Sequence, residues 1–354
     1  MSEGTTAVRD RTVVDALRQA RQAFAGDVGG ALFSALGVVG LIILVVLAFQ
    51  NPGQFFQILI YGLTDGALYA LVALGYTMVY GIIELINFAH GDIFTLGSFV
   101  ALPLLAAFGV DEGQAFGVQI VIALVITYLL VMIIIGMVNV TIERIAYRPL
   151  RNAPRLAPLI TAIGMSFVVE GLMYIWRGPS TLHFPDLLPE TGWIVNTVRI
   201  GVKDIYVLVL AIILVTALTL FINRSKLGKA MRATAQDRDA AQLMGIDINR
   251  TIAATFFIGA VLAGAGGMTW GLYFNNVNFA LGFNAGLIAF TAAVLGGIGN
   301  IQGAALGGLL IGIIAAYSDA YWSPLWTPVV VFGILILILV FRPTGLLGMR
   351  VPEK

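Results

Sequence analysis

Ten apolar runs follow one another along the chain, at residues 31–49, 55–80, 93–108, 115–140, 156–176, 205–222, 252–273, 285–295, 303–317 and 326–341. About 20 apolar residues in a helix span the hydrocarbon core of a bilayer, and only a helix or a closed barrel satisfies its own backbone there. The fold class that follows is all-α: a polytopic membrane helix bundle of about ten spans. Composition agrees. Hydrophobic residues make up 59% and charged residues 11%, against about 25% charged in soluble domains. A net charge of +1 gives no reason to expect nucleic acid as a partner. With no cysteine there is no disulfide, thiolate metal site or thiol catalysis. His90 and His183 are too far apart in sequence to suggest a metal-ligand pair.

The segments sort into a polar tail (1–28), an added first span (29–50), a main body (51–349) and a short end (350–354). In the tail, Val13, Leu17, Ala20 and Phe24 share one side of a helical pattern. That suits a helix lying on the membrane surface and a frayed tail equally. The first apolar run is too long for a secretion signal and lacks a convincing cleavage site. Basic residues are unevenly spread. Seventeen of the 20 Lys and Arg lie in the tail, in 144–155, in 224–250 and after residue 341, and only Arg177, Arg199 and Lys203 lie in 177–203. The positive-inside rule places both termini and the 224–250 loop in the cytoplasm, and 177–203 outside. In that outer loop Pro179, Pro185 and Pro189 forbid a helix, and the alternation over 193–203 suggests a short strand or hairpin.

One stretch is out of keeping with its apolar setting. Residues 75–92, GYTMVYGIIELINFAHGD, crowd together Tyr76, Thr77, Tyr80, Glu84, Asn87, His90 and Asp92, and Gly75, Gly81 and Gly91 interrupt them. Polar groups at membrane depth need partners and mark a functional site by default. The competing reading is a short aqueous loop between two helices. A second break, LGGIGNIQG at 295–303, carries four glycines with Asn300 and Gln302. Two Gly-interrupted segments suit the broken helices of transporters, although their places in the chain do not align as an internal repeat. Small-residue stripes at Gly259, Ala263 and Gly267, at Gly303 and Gly307, and at Gly308 and Gly312 are read as ordinary helix packing.

No G-x-x-x-x-G-K-[ST] loop is present, so the chain does not bind ATP by that route. Energy for active transport comes from a partner or an ion gradient. In the 224–250 loop, Asp237 is placed to cap a short helix over 238–244 that ends at Gly245. Its small, amphipathic surface suits docking into a groove on another protein, or packing against its own subunit.

Several motifs carry a resemblance. They are Ala73–Gly81 with Ile86–Gly91 (ALGYTMVYG and INFAHG), Ile142-Glu143-Arg144 with Ala146-Tyr147-Arg148-Pro149, and Ala162-Ile163-Gly164-Met165-Ser166. Later come Gly228-Lys229-Ala230-Met231-Arg232-Ala233, Leu243-Met244-Gly245-Ile246, FTAAVLGGIG at 290–299 and Arg342-Pro343-Thr344-Gly345. Over about residues 62–348 the chain resembles the inner-membrane permeases of ABC importers for branched-chain amino acids. Urea and short-amide permeases share much of the first motif. The resemblance departs at residues 1–50, at Asp65 and over 175–203. It implies a bacterial inner-membrane subunit that is not itself an enzyme and binds no cofactor. Its partners would be a related second permease, two ATPase subunits that hold the ATP, and an extracytoplasmic substrate-binding protein. By the same resemblance Arg232, Ala235, Asp237, Ala241 and Gly245 form the ATPase-coupling segment. A substrate pathway by alternating access would pass Tyr76, Thr77, Glu84, Asn87, His90, Asp92 and Asn300, with Glu84 or Asp92 meeting the ammonium group. The rival class is an ion-coupled secondary transporter using Asp65, Glu84, Asp92 and Glu170.

Overall fold

The computed structural model describes residues 45–83, 87–110, 116–151, 153, 154, 156–342 and 344–348, with positions 38, 40 and 42 ahead of them. The polar tail, whether surface helix or frayed end, most of the first apolar run, Glu84 and Arg155 lie outside the described residues. The helices are α1 (Pro52–Ile83), α2 (His90–Ala107), α3 (Val118–Ile142), α4 (Leu156–Arg177), α5 (Val202–Arg224), α6 (Lys226–Gln236), α7 (Arg238–Leu243), α8 (Ile248–Phe274), α9 (Leu281–Gly296), α10 (Ile301–Tyr321) and α11 (Thr327–Phe341). A π turn (Glu143–Tyr147) and a 3₁₀ turn (Arg148–Leu150) extend α3. By length and composition, α1, α2, α3, α4, α5, α8 and α10 can each cross a membrane, while α9 and α11 are shorter apolar helices. Each apolar run from 55–80 onward falls on one of these nine, and the chain is a polytopic helical bundle.

The core is built on α1 and α8, whose helices are buried along most of their length. α1 packs most extensively against α10 and also against α8 and α9, and α8 packs against α2 and α3. Small residues make the closest of these contacts. A methyl group on Gly66 of α1 would lie 2.8 Å from the Leu309 Cα of α10, and one on Gly62 would lie 2.7 Å from the Ile313 Cα. Lipid offers no hydrophobic drive for two helices to associate, so backbone-to-backbone packing of this kind holds them. Helix ends follow local chemistry. Gly297 (φ +108°) and Gly299 (φ +89°) take up backbone conformations that part α9 from α10. Asn300 then caps α10, its Oδ1 accepting from the Gly303 N–H at 3.1 Å.

Strands are few. β1 (Leu182–His183) pairs with β4 (Asn276–Val277), and β2 (Gly192–Val195) forms an antiparallel hairpin with β3 (Val198–Gly201), with Trp193 opposite Ile200. The alternation over 193–203 anticipated that hairpin. These strands mark one end of the bundle, the hairpin end. The other, the basic end, holds the turns after α3, helices α6 and α7, and the α9–α10 break.

Two expectations from sequence change. Gly75 and Gly81 do not interrupt their helix, because α1 runs through both to Ile83. A helical glycine is tolerated where a neighbour occupies its open side, and here the His90 ring lies against Gly75. α9 likewise begins earlier than the run at 285–295 suggested and passes through Gly282 and Gly286 without a break.

Candidate functional site

α2 starts deep inside the bundle. Its second residue after His90, Asp92, accepts a hydrogen bond from Ser166 through Oδ2, and Ser166 sits halfway along α4. On the other side the His90 ring packs against Gly75, which faces Gly259, near the middle of α8. α1 therefore ends towards the basic end, and α2 begins again at mid-depth. The positive end of the α2 dipole lies there, beside Asp92.

Glycines let the surrounding helices close on this point. A methyl group on Gly91 would stand 2.8 Å from the Gly286 Cα, and one on Gly282 would stand 2.6 Å from the Asp92 Oδ1. Tyr76 lies edge-on to His90, with ring centroids 5.0 Å apart, and also meets Phe290 of α9 at 6.0 Å. Asn87 Oδ1 accepts from the Tyr147 hydroxyl at 2.6 Å, which ties the break to the π turn.

Burial is complete. His90 and Asp92 are 0% exposed, so a solvated loop between two helices does not describe them. Their polar atoms are nonetheless poorly matched. Thr77 Oγ1, Asn87 Nδ2 and Thr95 Oγ1 have no hydrogen-bond partner among the described residues, and the His90 ring nitrogens and Asp92 Oδ1 make no well-aligned bond, having only the Val72 backbone near the ring and Asp92's own backbone near its carboxylate. An unmet buried polar group costs about 1–3 kcal/mol. Unmatched buried polar atoms in a membrane bundle mark a candidate site for a polar ligand or for water.

The structure thus brings together Tyr76, Asn87, His90 and Asp92. Thr77 is buried next to Tyr76 in α1, two positions from Gly75 and so on a different side of the helix from the His90 ring. Asn300 stands apart, at the basic end, where its Nδ2 donates to the Leu347 carbonyl at 2.8 Å and staples the chain after α11 to the start of α10. Glu84 lies outside the described residues. Tyr147, Ser166, Gly282 and Gly286 join the site without having been singled out. Tyr147 and Ser166 stand inside motifs that carried the resemblance, and that was the signal available for them.

The residues expected to couple to an ATPase form a second group at the basic end. Asp237 caps α7 by accepting from the Asp239 and Ala240 N–H groups, and Gly245 (φ +82°) closes the turn that follows. Arg232 donates to the Ile222 carbonyl and braces the α5–α6 corner, while Ala235 is exposed. Ala241, expected on a face that meets another protein, is only 4% exposed and packs into its own chain. The side of this loop left bare carries Leu243 and Met244, at 88% and 83% exposure. Beside them is a cavity of 490 Å³ lined in part by Arg148, Arg151, Arg238, Asp239 and Asn249. Glu143, fully buried, holds Arg148 at 3.3 Å and also Arg151. Burial lowers the pKa of the Arg151 guanidinium, Glu143 raises it again, and the neighbouring Arg148 and Arg238 lower it further.

Comparison with known proteins places this architecture. The profile of the family described as "Branched-chain amino acid transport system / permease component" matches residues 58–340. The high-affinity branched-chain amino acid transport system permease protein BraD of Pseudomonas aeruginosa is 44% identical over 315 residues, covering 85% of this chain and 98% of that protein. The high-affinity branched-chain amino acid transport system permease protein LivH of Escherichia coli is 41% identical over 308 residues, covering 85% and 97%. A probable LivH of Methanocaldococcus jannaschii is 28% identical over 256 residues, covering 70% and 75%. With spans of membrane-crossing length and relatives of this similarity, the chain is an integral membrane protein and belongs to the branched-chain amino acid transport permease family.

Proposed function

We propose that this chain is the membrane-spanning permease subunit of an ABC importer that carries Leu, Ile or Val into a bacterial cell. The observation that supports this most is the set of poorly matched polar atoms around His90, buried halfway through an otherwise apolar bundle. A branched-chain amino acid needs an apolar path for its side chain and a few polar groups for its zwitterionic head. Asn87 and His90 supply donors and acceptors, Asp92 suits the ammonium group, and the N-terminus of α2 suits the carboxylate. The names of the relatives favour branched-chain amino acids over urea or short amides.

In this reading the basic end faces the cytoplasm and the hairpin end faces out. The chain does no covalent chemistry. ATP binds to two partner ATPase subunits, a second related permease completes the pathway, and an outer binding protein delivers the cargo. The exposed side of α7, with Leu243 and Met244, is the surface the ATPase covers. Closure of the ATPase pair moves these loops, parts α9 from α2 at their glycine contact, and opens the polar cluster to one side and then the other. The test is uptake of labelled leucine by liposomes holding the complex purified from its native membrane with the binding protein. Uptake that requires ATP, and is absent for the chain alone under an ion gradient, supports the proposal. Gradient-driven uptake by the chain alone would replace it with a secondary carrier.

A further inference from the structure

Ile82 at the end of α1 and Asn87 just ahead of α2 are each held by a side chain of the basic-end loops. On the α1 side, the Arg238 Nη2 of α7 donates to the Ile82 carbonyl at 3.0 Å, across 156 residues of sequence. That carbonyl belongs to the last turn of α1, where helix carbonyls lack partners of their own and a cation is favoured. On the α2 side, the Tyr147 hydroxyl donates to Asn87 Oδ1 at 2.6 Å. The two grips share one foundation. Tyr147 ends the π turn that Glu143 begins. Glu143 is bound by Arg148 and Arg151, and Arg151 also donates to Asn249 at the start of α8, at 2.6 Å. Arg148, Arg151, Arg238 and Asn249 all line the same 490 Å³ cavity. A displacement of α7 or of the π turn therefore acts directly on Ile82 or Asn87. Between these lie only residues 83–86, and His90 follows Asn87 by three positions.

We infer that Arg238 and Tyr147 are positioning residues that transmit loop movement to the polar cluster around His90. This rests on the reading of α7 as the ATPase-docking helix. Neither side chain touches substrate in this account. Each holds one residue, Ile82 at the end of α1 or Asn87 ahead of α2, so that ATPase closure moves those residues rather than dissipating in the loop. Coupling between separate sites needs a chain of contacts of this kind with two arrangements.

The experiment uses the whole complex in liposomes with labelled leucine, measuring uptake and ATP hydrolysis in the same preparation. Arg238→Ala and Tyr147→Phe should each keep the ATPase subunits bound and hydrolysis running, but lower leucine carried per ATP by about five- to tenfold. Arg238→Lys, which keeps a cationic donor in reach of the Ile82 carbonyl, should recover part of that ratio. An unchanged ratio in both Arg238→Ala and Tyr147→Phe overturns the inference. If Arg238→Ala does not assemble, Tyr147→Phe, which removes a single oxygen, decides alone. Leu243→Asp with Met244→Asp separates the two levels. If that pair leaves the ATPase bound and coupled, the docking reading fails. If it releases the ATPase while Arg238→Ala and Tyr147→Phe transport normally, only the transmission inference fails.

Discussion

Thr77 shows what burial inside the bundle asks of a single side chain. Its hydroxyl is buried with no partner among the described residues, so it contributes nothing to stability and carries the desolvation cost of an unmet group. Thr77→Val keeps the shape and removes that cost. Thermal unfolding of the purified protein should show stability unchanged or raised by about 1 kcal/mol. A clear loss of stability would mean the hydroxyl is a structural bond in the folded protein. The polar residues around His90 were legible in sequence because polarity in an apolar run is conspicuous. What was not legible is the company they keep. Ser166 and Tyr147 lie 74 and 60 residues from their partners, and no local pattern announces a pairing at that range.

At the scale of elements, the sequence places a capped helix over 238–244 and the structure has it over Arg238–Leu243, one residue shorter, since Asp237 and Gly245 are local signals at its two ends. Its orientation was not local. Ala241 turned inward, and the bare side shifted to Leu243 and Met244. Two variants now separate. Ala241→Arg forces a long cation into a packed site and should disturb the loop itself, lowering expression or folding through overpacking and an unpaired charge. Leu243→Asp with Met244→Asp alters only exposed positions and should spare folding while weakening retention of ATPase subunits in a pull-down. If the double variant retains them at the native ratio, the contact lies elsewhere on the basic end. The glycine-broken helices were partly legible. The break at Gly297 and Gly299 was read from composition, whereas the continuity of α1 through Gly75 depends on His90 filling the space beside it.

For the whole molecule, the bundle followed from the periodic recurrence of apolar runs, because a bilayer leaves a spanning chain so few choices. Orientation rests on the asymmetry of 17 basic residues against three. The chain holds no cysteine, so single cysteines report cleanly. An impermeant thiol reagent on intact cells should label Ser180→Cys near the hairpin end and leave Ser225→Cys unlabelled, and the reverse pattern would invert the molecule. The central claim, that a buried polar cluster at mid-depth is the passage for substrate, is tested most directly by leucine uptake of the reconstituted complex carrying His90→Ala or Asn87→Ala. The account predicts that uptake falls about tenfold or more, an effect of roughly 1.4 kcal/mol, with partner subunits still bound and ATP hydrolysis intact. Native uptake in both variants at equal protein levels would contradict it.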